Sequence, residues 1–299
     1  MFHHYHLYGL HVQTTFPFSF LDPVPPATFD VTVSLDEAAA TPASFAGKAW
    51  HFQVDRQEAL LFFRDVATFH LLQGQSIRII PQAEADRGLI EQYLLGTVFG
   101  VLLFQRNALV VHASSVMHPD GKGAILFMGE SGAGKSSLAL AMQKEFGCAG
   151  LSDDVVGLDC LSDGVTMRPA YPFMKLSAEL AELYSITLDR LGRVPSSPTE
   201  YFYPYPQDIP TTVLPLAAIF VLRTGRDLGL VGVRPAERMV ELVRHSIPAR
   251  LLHRTGDAEH FNQCAAVART VPMYFLTRTS NLKTLPVVAS KVAEALGAS

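Results

Sequence analysis

The sequence predicts an α/β chain, with a larger mixed-sheet domain built around a glycine loop and a smaller β-rich domain ahead of it. Three observations carry this. Gly129-Glu130-Ser131-Gly132-Ala133-Gly134-Lys135-Ser136 reads G-x-x-x-x-G-K-S, between the apolar run Ala124–Met128 and the helix-forming stretch Ser137–Lys144. That is the strand, loop and helix order of a phosphate-binding loop (P-loop). Residues 1–86 carry short β-branched and aromatic runs and no nucleotide motif. Beyond them, helical and strand periods succeed one another.

At 299 residues, 48% hydrophobic and 17% charged, the chain suits two domains or one large α/β unit with a sizeable core. A net charge of −4 gives no sign of a nucleic-acid partner. Cys148, Cys160 and Cys264 are odd in number and widely spaced, which fits reduced thiols better than a disulfide framework or metal site. The segment Met1–His6 lacks the basic and long apolar regions of a signal peptide. The most apolar stretch, Tyr93–Phe104, is shorter than a bilayer span. A cytoplasmic protein without a membrane partner is expected, with homo-oligomerisation left open. His3, His4, His6 and His11 lack a Cys or carboxylate at ligand spacing and read as edge-strand or surface histidines.

In the first domain, strands are expected over Tyr5–Gln13, Phe29–Val33, Trp50–Val54 and Ser76–Ile80, with Trp50 as a core anchor. Pro81–Asp86 reads as the boundary to a P-loop domain over 87–299. That domain opens on a buried helix over 88–106, then a strand over 108–116 and a turn at Pro119–Gly123, so a hairpin delivers the loop strand. After the loop helix and a break at Gly147–Gly150 comes a strand over Leu151–Leu158 bearing Asp153 and Asp154. Further strands are expected over 165–167, 217–222, 230–233 and 273–276. Helices are expected over 178–184, 235–244, 258–269 and 285–296. The proline and tyrosine run Val194–Pro206 suits an ordered or binding-coupled lid.

The glycines let successive N–H groups converge on an anion at a helix N-terminus. Gly129, Glu130, Ser131, Gly132, Ala133, Gly134, Lys135, Ser136 and Ser137 are therefore the expected nucleotide-binding residues. Lys135 would reach the β/γ-phosphates and the Ser136 hydroxyl would ligate Mg²⁺. ATP and Mg²⁺ are the expected cofactors, with GTP and pyrophosphate open as donors. Asp153 and Asp154 follow Lys135 by 18 and 19 positions, the span that returns a strand beside the loop strand. Consecutive strand side chains face opposite ways, so both acids serve one site only at a strand end. One would face an acceptor hydroxyl and the other the metal; the alternative is a solvated strand end. Asp153 is assigned as base and Asp154, with Ser136, to the metal side, an order that can be exchanged. His112, at the end of its strand, reads either as a core histidine bonded to a carbonyl or as a cation beside phosphates.

His112-Ala113, the short hairpin, G-E-S-G-A-G-K-S-S and Leu151-Ser152-Asp153-Asp154-Val155 together resemble the catalytic domain of HPr kinase/phosphorylase. That bacterial serine kinase has a P-loop related to that of phosphoenolpyruvate carboxykinase. The resemblance, clear over about residues 105–160, implies phosphate transfer to a serine hydroxyl. It also implies that one Asp is the acceptor-activating base, that Lys135 and His112 contact phosphates, and that Ser136 binds Mg²⁺. Catalytic roles are thus expected for Asp153, Asp154, His112 and Lys135. Ser137 stands where the family has Glu, and Ala113 where it has Gly. The family's L-E-I-R-G motif is replaced by Tyr171–Leu176, with Glu179 the nearest acid, and its V-R-P-G-R-N motif is missing. Arg223, Arg226, Arg234 and Arg250 are the candidate active-site arginines.

A closer resemblance is to divergent HPr-kinase-like proteins encoded beside peptide-modification genes, including kinases of lasso-peptide precursors. It is carried by Tyr5–Leu10, the H-A-S strand and the Y-P-x-x-K-L stretch Tyr171–Leu176. It implies a peptide or small-protein substrate with an acceptor serine, which the β-rich domain could hold by edge-strand addition. The rival readings are a nucleotide-gated regulatory or binding module with little catalysis, and a small-molecule kinase.

Overall fold

The computed structural model describes residues 1–45, 47–247, 249 and 257–297. Arg250 lies outside them. The chain divides into two compact units, Met1–Val110 and Val111–Ser299.

The first unit is a sheet of seven strands: β1 (His3–Leu7), β2 (Leu10–Thr14), β3 (Val31–Leu35), β4 (Trp50–Val54), β5 (Glu58–Phe63), β6 (Ala67–Leu72) and β7 (Ser76–Pro81). They lie in the order β1-β2-β3-β7-β6-β5-β4. The stretch expected as one strand over Tyr5–Gln13 is a hairpin. Tyr8 and Gly9, with φ of +54° and +68°, form the two-residue turn whose twist suits paired strands. β5 and β6, unforeseen because their apolar runs lack clean alternation, fill the sheet's far side. Trp50 is not a core anchor: it sits on edge strand β4, is 54% exposed, and rests against Phe52. Leu61, Phe69, Leu71, Ile77 and Ile79 form the core instead.

Helices α1 (Arg87–Tyr93) and α2 (Phe99–Gln105) join through a π turn, Leu94–Val98. The continuous segment Arg87–Gln105 is long and apolar enough to cross a membrane by length and composition, unlike the shorter stretch read from the sequence. Most of it is nevertheless buried inside the protein. Asp86 caps its start by accepting from the Leu89 N–H. The buried Glu91 carboxylate accepts from the Ser19 and Phe20 N–H groups, and the Tyr8 hydroxyl donates to the Leu95 carbonyl at 2.8 Å. These ties place the helix in the first unit, so the units divide between Val110 and Val111 rather than at 86/87.

Strand β8 (Leu109–Val111) runs across that junction. The second unit then contains β9 (Ala113–Met117), β10 (Ala124–Met128), α3 (Lys135–Phe146), β11 (Gly150–Ser152), β12 (Val156–Leu161), β13 (Gly164–Arg168) and β14 (Phe173–Ser177). It continues with α4 (Ala178–Leu183), β15 (Glu200–Pro204), β16 (Leu214–Thr224), β17 (Gly229–Gly232) and α5 (Pro235–His245). It ends with α6 (Ala258–Thr270), β18 (Met273–Arg278) and α7 (Leu285–Ala295). β10 pairs antiparallel with β9 and parallel with β16, which pairs parallel with β18. The sheet is therefore mixed.

Two expected strands are broken at the candidate site residues. The first is interrupted at His112, between β8 and β9, so His112 does not end its strand. The second is interrupted at Asp153-Asp154, between β11 and β12. β11 returns beside β9, not beside β10. The expected lid contains strand β15, Glu200–Pro204, paired with β14. Phe202 packs on Phe173, and Lys144 donates to the Tyr203 hydroxyl at 3.0 Å. Leu138, Leu140 and Met142 of α3 pack with Ile125, Phe127 and Phe220 of the sheet and Val288 and Val292 of α7. Burying such a side chain contributes about 1.5–3 kcal/mol, so the helix start is rigidly seated on the sheet. The three cysteines are free, and burial pushes the Cys264 thiol up to about 12.

Candidate active site

The chain leaves β10 at Met128, turns through residues 129–134 and enters α3 at Lys135. Gly134 has φ +90°, a conformation L side chains avoid, and a Cβ at Gly129 would sit 3.0 Å from the Leu222 carbonyl. The first N–H groups of α3 lack intrahelical partners and face the loop's concavity, where an anion is favoured. Lys135 is 6% exposed, and its Nζ donates to the Gly129 and Glu130 carbonyls at 3.2 and 3.1 Å.

Asp153 is buried against this loop. Its Oδ1 accepts from Ser136 Oγ at 2.7 Å and from Ser114 Oγ at 2.6 Å; its Oδ2 accepts from the Lys175 N–H at 3.1 Å. Ser114 comes from β9, where it pairs with Phe127 of the loop strand. Asp154 turns the other way. It has φ +79°, a left-handed conformation that Asp tolerates better than most residues. Its Oδ1 lies 2.9 Å from His112 Nδ1, and its Oδ2 accepts from Lys175 Nζ at 3.1 Å. Burial works against the Asp154 charge. The His112 hydrogen bond and the Lys175 and His112 charges outweigh it and hold the carboxyl well below the usual range. Burial likewise opposes the Lys175 charge, yet Asp154 and Asp153 push its pKa up. His112 Nδ1 also lies 2.8 Å from the Asp154 carbonyl. Both neighbours are acceptors, which assigns a proton to that nitrogen. The His112 N–H donates to the His245 carbonyl at 2.8 Å, fixing the ring against the end of α5.

These groups line a cavity of about 360 Å³ that brings together His112, Lys135, Ser136, Ser137, Asp153 and Asp154. Of the two acids, Asp153 meets Ser136, whereas Asp154 meets His112 and Lys175. A strand-based reading could not rank them, because the acids occupy a turn. Ser114, Lys175 and Glu200 also line the cavity and were not singled out by sequence reasoning. Two stood within recognised stretches, H-A-S and Y-P-x-x-K-L, but without an assigned role. Glu179 lines a different cavity.

A second cavity of about 370 Å³ flanks the other side of the loop, bordered by Glu130, Ser131, Arg223, Glu241, Arg244 and His245. Arg223 lies over the Phe275 ring and donates to the buried Glu241 at 3.0 Å. Arg234 pairs with Glu237 on the surface, and Arg226 is exposed on a turn. Arg244, unforeseen, meets the loop's Glu130 at 2.7 Å.

Among the described residues, no group of three or more His, Cys, Asp or Glu could hold a metal. Mg²⁺ does not need one, since it takes one or two carboxylates with phosphate and water oxygens. The Ser136 hydroxyl and Asp153 carboxylate form a hard-oxygen pair of that kind.

No family model matches the chain, and no curated protein matches it. Among solved structures, the Hpr(Ser) kinase/phosphatase from Coxiella burnetii is similar over 62% of this chain and 94% of its own, with 15% identity and a TM-score of 0.29. The chemistry of the site therefore rests on its own side chains.

Proposed function

We propose that this chain is an ATP- and Mg²⁺-dependent kinase that transfers phosphate to a serine hydroxyl of a peptide or small protein, a lasso-peptide precursor being one candidate. The split acid pair carries the reading: Asp153 bonds the loop serine, while Asp154 faces the open cavity between His112 and Lys175. A site that only gripped nucleotide would have no use for a second, ionised carboxylate there.

The roles follow from position. The loop N–H groups and Lys135 hold the β/γ-phosphates. Ser136 and Asp153 would hold Mg²⁺, which would supply charge neutralisation to the phosphates. Asp154 accepts the hydrogen bond of the acceptor hydroxyl and takes its proton as the oxygen bonds to the γ-phosphorus and the β–γ bridging bond breaks. A carboxyl held so acidic is a weak base. That suits a loose transition state, in which orientation of the nucleophile matters more than early deprotonation. Lys175 and His112 keep Asp154 ionised and aimed.

The test is incubation with labelled ATP·Mg²⁺ and serine-containing peptides, including precursors with a C-terminal serine, followed by phosphosite mapping by mass spectrometry. Transfer to a serine is expected. ATP binding with no transfer to any peptide would overturn the kinase reading and leave a nucleotide-gated module.

A further inference from the structure

Arg278, the last residue of β18, is 4% exposed. Its Nη1 donates to the Ala133 carbonyl at 2.9 Å, while Nε and Nη2 have no hydrogen-bond partner. No carboxylate pairs with it among the described residues, and burial alone pushes its pKa down. The guanidinium lies directly against the glycine loop. A methyl group added at Gly134 would overlap Nη1 and approach Cζ to 3.2 Å. Gly134 therefore combines a left-handed φ with a place too close to this arginine for any side chain.

A buried guanidinium with unused donors and no counter-charge is costly, and folded proteins rarely keep one without a use. Two other charges of this unit face a counter-charge: Asp154 meets Lys175, and Glu241 meets Arg223. Arg278 faces no carboxylate among the described residues, and it lies against Gly134, the residue preceding Lys135. Its missing counter-charge belongs in the cradle that the loop forms.

We propose that Arg278 is a positioning residue for a bound polyphosphate. It fixes the Ala133 carbonyl so that the following N–H groups face the anion, and the bound phosphate chain supplies its counter-charge. This rests on the phosphate-binding reading of the loop and extends it to a residue 143 positions beyond Lys135 that no loop motif includes.

The test compares wild type, Arg278→Met and Arg278→Lys by calorimetric titration with ATP·Mg²⁺, pyrophosphate and adenosine, alongside thermal melts of the ligand-free proteins. Arg278→Met should weaken ATP and pyrophosphate by about tenfold or more, the size of one lost partly screened charge interaction, and leave adenosine unchanged. Its ligand-free melting temperature should hold or rise, since an unpaired buried charge is removed. Arg278→Lys should recover part of the affinity. Unchanged pyrophosphate affinity in Arg278→Met would overturn the proposal. So would a ligand-free protein that melts markedly lower or does not fold, because the arginine would then be a structural prop. If wild type itself bound neither ATP nor pyrophosphate, the phosphate-loop reading would fail instead.

Discussion

Asparagine at position 154 separates the two acids most sharply. Asp154 and Lys175 are 36% and 29% exposed, and partly exposed ion pairs contribute about 0–1 kcal/mol, so Asp154→Asn should change stability by less than about 1 kcal/mol. It should leave ATP·Mg²⁺ affinity within about threefold of wild type, because this side chain meets His112 and Lys175 rather than the glycine loop. Turnover should fall by about 10²–10⁴-fold, the usual worth of a positioned proton acceptor. Asp153→Asn behaves differently. Its amide must point a donor either at the Lys175 N–H or at the hydroxyls of Ser114 and Ser136, and it gives up bonds to a charged acceptor. The expected loss is about 2–4 kcal/mol of stability, together with most of the Mg²⁺ dependence of ATP binding. Titration calorimetry with and without Mg²⁺, thermal melts, and turnover at saturating ATP measure all three quantities. The reasoning is refuted if Asp154→Asn loses Mg²⁺-dependent ATP binding while Asp153→Asn keeps it, or if Asp154→Asn turns over near the wild-type rate.

Lys175→Met removes one of the cations that hold Asp154 acidic. Because the folded pKa lies below the unfolded one, Asp154 contributes stability that is fully present above the ordinary carboxylate range and is lost as pH falls below that range toward the depressed folded value. The variant should move the acid limb of the pH–rate profile upward and flatten this acid loss; an unmoved limb would deny Lys175 its role. Asp154→Gly should be about 1 kcal/mol more stable than Asp154→Ala in thermal melts, since only glycine takes φ +79° without penalty. Equal stabilities would mean the turn relaxes. Glu91 has the opposite sign: burial, opposed by the Ser19 and Phe20 N–H bonds, raises its pKa. The first unit should lose stability as pH rises from the ordinary glutamate range through that raised value. Glu91→Gln should abolish this slope in calorimetry and cost about 1–3 kcal/mol near pH 4, because one amide N–H then faces backbone donors.

The parts of this site that are local in sequence were legible there. The loop, its strand and its helix occupy one continuous stretch, and turn glycines and apolar runs announce each boundary. The helices of the second unit were equally plain, because their apolar spacing and caps are local signals. What failed depended on partners far along the chain. Trp50 looked like a core residue by type, yet β4 is an edge, and only the order β6-β5-β4 makes it one. Lys175 became a site residue because β14 brings its N–H to Asp153 and its Nζ to Asp154. Arg278 lies against Gly134 because β18 is parallel to β16, which no motif encodes. The hairpin at Tyr8-Gly9 was missed for a different reason: a tyrosine with positive φ is an unusual turn residue, held here by its buried hydroxyl bond to Leu95.

The two strand interruptions are one feature. An unbroken strand through Asp153 and Asp154 would send the two carboxylates to opposite faces of the sheet, and an unbroken strand through His112 would commit its N–H to a neighbouring strand. Each break frees backbone groups that must find partners if buried. The His112 N–H takes the His245 carbonyl, and its ring takes the Asp154 carbonyl. The Tyr171 hydroxyl takes the Asp153 carbonyl, and the Ser152 hydroxyl takes that of Val155, closing the turn around the acids. The left-handed residue is thus clamped from both ends, as a conformation costing of order 1 kcal/mol must be if it is to persist. Each break supplies what the other lacks: the histidine satisfies the turn, and the turn aims Asp154 at the histidine. Restoring the strand at His112 would take the ring from the Asp154 carbonyl, and restoring the strand at Asp153-Asp154 would send the acids to different faces, so the site depends on both breaks together.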